Sequence, residues 1–351
     1  MRLSRRAWWG LVLAIPILSS VALGLVLGVG LRDLKAAGRR LVYRQAPAAT
    51  LWQAPEADGD LADFTVTDAG QLLALREGGL WTSKEGTLQP LGAPQGILHL
   101  FPEAKGGWVW VAASYHRVLA WEAGAGLRHV LSVRGAVRGV QRRGDRLVVG
   151  FEEAALGRGQ LMLFRRQAGA WFEPDGLEIS VGMDRWSGFD LSPDGTKLLA
   201  NLPTGKGVGI WSTEDGRLLA SWPGERLARV LCFVDDQRVL FDQGPASKIR
   251  DGAYAQAANR VVQAQVEASG ALSVIADHFA AVLSSDHGPN HLAFADMEGL
   301  VRVIELEGTP RLVSTFSPKG RGIPWQVRFT QQGLWVFLKG DTNRIERYGC
   351  E

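Results

Sequence analysis

Short apolar runs separated by turn residues fill most of this 351-residue chain. Residues 188–222 show the pattern most clearly: four short apolar runs lie between turn sequences such as Ser192-Pro193-Asp194-Gly195. Runs of this length are too short for helices and typical of strands. Proline presets φ and glycine supplies the positive φ of tight turns, so the stretch predicts a four-stranded antiparallel meander.

The same arrangement recurs along the chain in units that cover residues 62–92, 97–133, 137–174, 188–222, 228–278, 280–316 and 325–349. Units of roughly 35–50 residues with four strand signals each are typical of a seven-bladed β-propeller. A β-sandwich or two smaller barrels are the alternatives, and the regular four-strand cadence argues against both. The predicted fold class is therefore all-β.

The seventh unit shows three strand signals rather than four. A propeller ring must close to remove its open sheet edge. We expect the apolar segment Leu41–Trp52, which precedes the first unit, to supply the missing strand and so to join the last blade to the first.

Residues 7–31 contain no charged side chain. A membrane-spanning helix needs about 20 apolar residues, so this segment predicts one N-terminal transmembrane helix. A cleaved signal peptide is the alternative, but its apolar region is usually about 7–15 residues long. The predicted domains are a basic tail at 1–6, the helix at 7–31, a juxtamembrane linker with the closing strand at 32–53, and the propeller at 54–351.

Both ends of the predicted helix carry residues that suit a membrane interface. They are Trp8 and Trp9 on one side and Arg32, Lys35, Arg39 and Arg40 on the other. The small residues Ser20, Gly24 and Gly28 fall four apart and would form a flat stripe for a neighbouring helix, although small residues are common in membrane helices anyway.

Charge is unevenly distributed along the chain. The formal net charge is +3, but the first 44 residues hold eight basic residues against one acidic residue, which leaves the remainder at −4. The basicity therefore belongs to a membrane boundary, and no nucleic-acid partner is expected. Of the two cysteines, Cys232 lies in an apolar run and is interpreted as a core residue.

In the fourth unit, residues Phe189–Gly195 are followed by Val208–Trp211. This arrangement resembles a WD40-like repeat, in which Trp211 matches the family's tryptophan at the end of the third strand. Ser212 stands where the family has aspartate, and no Gly-His pair opens a repeat. The resemblance implies a propeller scaffold that binds partners, and it carries over no catalytic residue.

Catalytic motifs are not found, and no cofactor is predicted. Gly205, Gly207 and Gly209 join two strands instead of opening a helix, so they predict a turn rather than a phosphate site. The best metal candidate is Asp286 with His287 and His291, but Gly288-Pro289 prevents the helix that would align the histidines. These three residues are interpreted as solvated turn residues, and no metal site is predicted.

The longer loops lie at Glu153–Gly159, Pro203–Gly207, Gln243–Ala258 and Ser317–Pro324. In WD40-like propellers the connections between second and third strands, and between blades, share one face. These loops hold the partner-binding candidates Arg158, Lys206, Lys248, Arg250, Tyr254, Lys319 and Arg321. Ordinary solvated loops are the alternative interpretation.

These patterns together predict a membrane-tethered interaction or assembly module, an accessory subunit of a bacterial envelope complex. Its partners would be membrane subunits along the helix and a soluble protein on the loop-rich face. A short basic tail before a long apolar run resembles a signal anchor, so we expect a single-pass inner-membrane protein with a periplasmic propeller. A positive-inside count opposes this orientation. The alternative function is a hydrolase or quinoprotein-like enzyme whose active site lies in the central channel, lined by Asp190 and Arg328.

Overall fold

Every regular element in the described part of the chain is a β-strand, as the short apolar runs predicted. The structure is a computed structural model that describes residues 49–53, 61–67, 70–76, 78–84, 87–91, 96–102, 108–113, 115–153, 158–166, 172–183, 188–244, 249–250, 253–254, 259–267, 271–278, 280–318, 322–330, 333–340 and 343–349. Within these ranges no helix is long and apolar enough to cross a membrane. The predicted membrane segment and its flanking residues lie outside them.

The strands are numbered in chain order. The first is β1 (Ala49–Gln53). Blade 1 consists of β2 (Leu61–Val66), β3 (Leu72–Arg76), β4 (Gly79–Lys84) and β5 (Thr87–Pro90). Blade 2 consists of β6 (Ile97–Pro102), β7 (Trp108–Ala113), β8 (Arg117–Glu122) and β9 (Gly126–Ser132). Blade 3 consists of β10 (Ala136–Arg143), β11 (Arg146–Glu153), β12 (Arg158–Arg166) and β13 (Phe172–Val181).

Blade 4 consists of β14 (Asp190–Leu191), β15 (Lys197–Asn201), β16 (Gly207–Ser212) and β17 (Leu218–Pro223). Blade 5 consists of β18 (Leu231–Phe233), β19 (Arg238–Gln243), β22 (Asn259–Gln265) and β23 (Leu272–His278), with the hairpin β20 (Ile249–Arg250) and β21 (Ala253–Tyr254) inserted. Blade 6 consists of β24 (Val282–His287), β25 (His291–Asp296), β26 (Val301–Glu305) and β27 (Arg311–Phe316). Blade 7 contains β28 (Ile323–Thr330), β29 (Gly333–Lys339) and β30 (Arg344–Tyr348).

Each blade is a four-stranded antiparallel sheet, and the seven blades form a closed ring. Seven hydrophobic clusters fill the seven spaces between neighbouring blades, including the space between blades 7 and 1. The second strand of a blade serves both of its neighbours because strand side chains alternate. In blade 3, Leu147 and Val149 pack towards blade 2, while Val148 packs towards blade 4.

The ring is closed by the N-terminal strand, as predicted. Strand β1 pairs antiparallel with β30 and completes blade 7, with Ala49 opposite Arg347 and Gln53 opposite Arg344. The predicted segment Leu41–Trp52 is therefore confirmed where it is described, and residues 41–48 lie outside the described part of the chain.

The two faces of the ring are defined by their turns. The lower face carries the turns from first to second and from third to fourth strands, and the upper face carries the remaining connections. On the lower face, the Asp194 amide donates to the Asp236 carboxylate at 3.0 Å, which links the turns of blades 4 and 5. Strand β1 is an outermost strand, so it starts at Ala49 on the lower face.

One strand is longer than the sequence indicated. The third unit was predicted to end at residue 174, whereas β13 continues to Val181. Ile179 and Val181 are buried against blade 4, so the outer strand is extended by alternating burial beyond the turn-like Pro174–Gly176. A register shift between Met162 and Phe164 accommodates the irregular segment.

Candidate functional site

The first strands of the blades surround a central channel with a cavity of about 300 Å³. The channel follows from the fold, because each sheet starts at the ring axis with its first strand. Its lining is rich in polar side chains, among them Asp63, His99, Arg138, Gln141, Asp286 and Arg328.

Several polar side chains of the first strands connect one blade to the next. The Gln141 side-chain oxygen accepts from the Leu191 amide at 3.0 Å, and the Asp190 carboxylate accepts from the Phe233 amide at 2.7 Å. The Asp286 carboxylate accepts from the Phe329 amide at 2.7 Å. These bonds repeat at one level of the ring and satisfy buried groups that would otherwise be unpaired.

Asp63 has the same role where blade 1 meets blades 2 and 7. Its carboxylate accepts from the Leu100 amide at 2.9 Å and from the side-chain amide of Gln326, and it lies 3.4 Å from the Arg328 guanidinium. Burial alone would raise the pKa of Asp63, but His99 and Arg328 outweigh it and lower that pKa. Arg328, predicted as a channel residue, does line the channel and is ion-paired there.

Asp190 was also predicted to line the channel, but it is fully buried and is not part of the cavity lining. It meets Cys232 and His287 near the lower end of the channel. The His287 Nε2 atom lies 3.2 Å from the Asp190 Oδ1 atom, and one side-chain oxygen, sulfur and nitrogen of the three residues lie within 4.8 Å of one another. Asp190 and Cys232 are fully buried, whereas the His287 side chain is 19% exposed and reaches the cavity. We call this group the lower triad.

The lower triad is electrostatically coupled. Burial alone would lower the pKa of His287, but the Asp190 carboxylate outweighs burial and raises it well above its usual value. Burial raises the pKa of the Cys232 thiol. Within the described ranges the lower triad is the one cluster of three or more His, Cys, Asp or Glu side chains close enough to share a metal ion.

The metal candidate considered from the sequence does not assemble. Asp286 and His287 are the last two residues of β24 and His291 is the first residue of β25, so the interpretation as solvated turn residues was wrong for all three. The Asp286 carboxylate bonds towards blade 7, the His287 ring turns towards blade 4, and the His291 ring stacks on Phe329. Strand alternation explains the split, because Asp286 and His287 are adjacent and face opposite sides.

Sequence reasoning did not connect the members of the lower triad. Cys232 was interpreted as a core residue, which its burial in the cluster between blades 5 and 6 confirms, but neither Cys232 nor Asp190 was linked with His287. The sequence signal that could have linked Asp190 and Cys232 was their distance from the lower-face turns. Asp190 lies two residues before Ser192, where the turn of blade 4 begins, and Cys232 lies two residues before Val234, where the turn of blade 5 begins. Aligning the units on their turns would have placed both at one level.

Comparison with known proteins identifies the fold. No protein-family model matches the chain, and no curated protein matches it. Among solved structures, a chain of Kuenenia stuttgartiensis hydrazine synthase is 11% identical with a TM-score of 0.62, over 84% of this chain and 97% of that one. The β-propeller domain of Cps50 (Swd1) from Myceliophteria thermophila is 13% identical with a TM-score of 0.58, over 85% and 98%. The WD40 β-propeller domain of Doa1 is 14% identical with a TM-score of 0.58, over 87% and 97%.

The chain folds as a WD40-like seven-bladed β-propeller. The similarity is one of fold, because the sequence identities are low. Part of the glycine-rich segment is the predicted turn: Gly205, with φ of +70°, lies in the connection between β15 and β16. Gly207, with φ of +110°, begins β16, and Gly209 lies within that strand.

The predicted partner-binding candidates lie on the upper face of the propeller where their positions are described. Lys206 is exposed in the turn between β15 and β16, Arg158 begins β12, and Arg250 and Tyr254 lie in the β20–β21 hairpin. Lys248, Lys319 and Arg321 lie outside the described residues. A partner at these residues stays a prediction.

A second surface of the propeller was not anticipated. Five apolar side chains are exposed within the first three residues of the outer strands of blades 4, 5 and 6: Leu218, Leu219, Val274, Leu312 and Val313. Outer strands start on the lower face, so these side chains lie along its edge, and we call them the lower rim. Arg217 and Arg311 precede two of its pairs and are 75% and 71% exposed. The sequence signal was the repeated Arg-Leu-Leu and Arg-Leu-Val at the strand starts.

Proposed function

We propose that this propeller is a membrane-tethered interaction module, an accessory subunit of a bacterial envelope complex. The observation that carries the proposal is the lower rim. Its side chains are 39–52% exposed although they are leucine and valine. Exposed apolar surface beyond scattered single residues marks protein or membrane contacts. The fold itself gains nothing from this exposure.

The entry point of the chain supports the same arrangement. Strand β1 begins on the lower face, so any N-terminal tether reaches the propeller from that side. The predicted helix at 7–31 and its basic flank would then place the lower face towards the bilayer. The lower rim would meet a membrane-embedded partner there, while the upper face with Lys206 would point away and be free for a soluble partner.

A second candidate is the enzyme with its active site in the central channel. The observation that favours it is the lower triad, which brings a carboxylate, a thiol and an imidazole together beside the cavity. The interaction module is preferred because much of the channel's polar chemistry is used in bonds between blades.

The proposal is tested by affinity purification of the full-length chain from membranes of its own host in mild detergent. The wild type is expected to retain membrane subunits at a fixed ratio. A Leu219→Glu and Val313→Glu double variant should retain at least about tenfold less of these subunits, because burial of a carboxylate in an apolar contact costs free energy.

The matched control is Gln89→Glu with Ser221→Glu, which adds two charges at exposed positions of outer strands outside the rim. It should retain the partners. Equal retention by the rim variant, or a wild type that purifies without a fixed partner, would contradict the proposal.

A further inference from the structure

We propose that the lower triad, Asp190 with Cys232 and His287, binds one divalent metal ion of the zinc class at the lower end of the central channel. The three ligands come from β14, β18 and β24, the first strands of three consecutive blades. Their ligand atoms already lie within 4.8 Å of one another. The site needs no rearrangement of the backbone, because each ligand lies on a strand that the ring holds in place.

The distances fit a tetrahedral ion. Zinc lies about 2.0–2.3 Å from nitrogen, oxygen and sulfur ligands, so two of its ligands are roughly 3.3–3.6 Å apart. The 3.2 Å between Asp190 Oδ1 and His287 Nε2 matches one edge of that tetrahedron. The remaining edges, at most 4.8 Å, shorten to this range through small side-chain rotations.

Backbone amides orient one of the ligands. The Asp190 carboxylate accepts from the Leu191 amide at 2.9 Å and from the Phe233 amide at 2.7 Å. Such outer contacts fix ligand direction in metal sites. The Cys232 thiol donates to the Phe233 carbonyl at 3.2 Å, and this bond is given up when the thiol loses its proton to bind the ion.

The donor set selects the ion. Sulfur and imidazole nitrogen favour zinc and similar borderline metals over calcium and magnesium, which prefer oxygen. One carboxylate and one thiolate balance a charge of +2, because a cysteine ligates zinc as its thiolate. Three protein ligands leave a fourth position, which is the arrangement of catalytic zinc sites.

The fourth position opens onto the cavity. Of the three ligands only His287 reaches the cavity, so an ion and its fourth ligand enter past the imidazole. A nucleophilic role for Cys232 fits less well, because the cysteine is fully buried and its thiol bonds to the main chain.

The test uses the full-length chain in detergent, stripped with a chelator and titrated with Co²⁺ and with Zn²⁺. One Co²⁺ per chain should produce the visible bands of a tetrahedral site and a thiolate-to-cobalt charge-transfer band in the near ultraviolet. Cys232→Ser should abolish the charge-transfer band. Cys232→Ser and His287→Gln should each weaken zinc affinity by at least about 100-fold, beyond the 10–100-fold typical of residues that only orient a ligand.

The matched controls are Cys350→Ser, at the chain's other cysteine, and His291→Gln, at a histidine that stacks on Phe329 outside the triad. Both should bind like the wild type. A second measurement needs no variant: X-ray absorption of the zinc-loaded wild type should show one sulfur at about 2.3 Å and nitrogen or oxygen neighbours at about 2.0 Å.

A zinc spectrum without sulfur, no stoichiometric metal binding, or binding unchanged by both ligand variants would overturn the proposal. These outcomes are independent of the rim experiment, because the triad lies at the ring axis and the rim on its outer edge.

Discussion

At the scale of single residues, the propeller depends on polar side chains that each join two blades. Asp63 is one of them, since its carboxylate accepts from the Leu100 amide and pairs with Arg328, and both charged side chains are largely buried in the channel wall. Removal of one partner of a buried ion pair is strongly destabilising, because the other charge stays buried without compensation.

We therefore expect Asp63→Ala to lower the free energy of unfolding by about 3–5 kcal/mol. Asp277→Ala is the matched control, since Asp277 pairs with Arg260 at 3.6 Å with both side chains more than half exposed. It should change stability by no more than about 1 kcal/mol. Denaturant unfolding of the two variants measures the difference, and similar losses would show that Asp63 is not a tie between blades.

His278 gives the propeller a dependence on pH. The residue is fully buried, its Nδ1 atom bonds to the Ala280 carbonyl at 2.9 Å, and its Nε2 atom has no hydrogen-bond partner. Burial lowers the pKa of His278 below its ordinary value of 6.5, against the opposing influence of the Asp242 carboxylate. The folded chain thus keeps this imidazole neutral where the unfolded chain protonates it.

Below pH 6.5 the unfolded chain takes up a proton at His278 that the folded chain does not bind, so acid favours unfolding. The contribution of His278 to the free energy of unfolding is therefore complete above pH 6.5. It is lost as the pH falls from 6.5 towards the lower pKa of the folded state, with a slope of at most about 1.4 kcal/mol per pH unit. His278→Gln should remove this pH dependence. Between about pH 7.5 and about pH 5 the free energy of unfolding of the wild type should therefore fall more than that of the variant. A difference between the two that stays constant over this range would contradict the assignment.

At the scale of elements, β1 is the strand on which the ring depends. It covers the edge of β30, and the neighbouring interior holds the fully buried Trp335 and Ile345. An uncovered strand edge is a template for aggregation.

A truncated chain that begins at residue 36 should be a soluble monomer. A truncated chain that begins at residue 54 should aggregate, because it lacks β1. Size-exclusion chromatography with light scattering distinguishes the two. Monomers from both would mean that blade 7 is stable with three strands.

Sequence reasoning works at this scale where turns are local. The Ser192–Gly195 turn and the other tight turns can be located from their own residues, so the blades and the closing strand were predictable. The lower-face turn of blade 6 was placed too early, because Asp286 and His287 resemble turn residues but belong to β24, and the turn itself is Gly288–Asn290. Pairing with Ala293 and Leu292 of the next strand outweighed the local preference.

At the scale of the whole molecule, the candidate sites depend on ring curvature, which no local pattern encodes. Asp190, Cys232 and His287 are far apart in sequence and come together only because three first strands converge on one axis. The lower rim likewise exists only once the outer strands of blades 4 to 6 stand side by side. The candidate sites, which depend on closure of the ring, could therefore not be predicted from the sequence, whereas the closure itself could.

The pairing of β1 with β30 delays closure of the ring during synthesis. Strand β1 is made well before its partner β30, with about 290 residues between Gln53 and Arg344. At about 5–20 residues per second, the ribosome needs roughly 15–60 s to supply the partner strand. Throughout that interval the newborn chain carries an uncovered strand at one end and an unfinished ring at the other. Closure of this ring therefore waits until β30 has been synthesised, and a chain that stops before Arg344 leaves β1 without its partner.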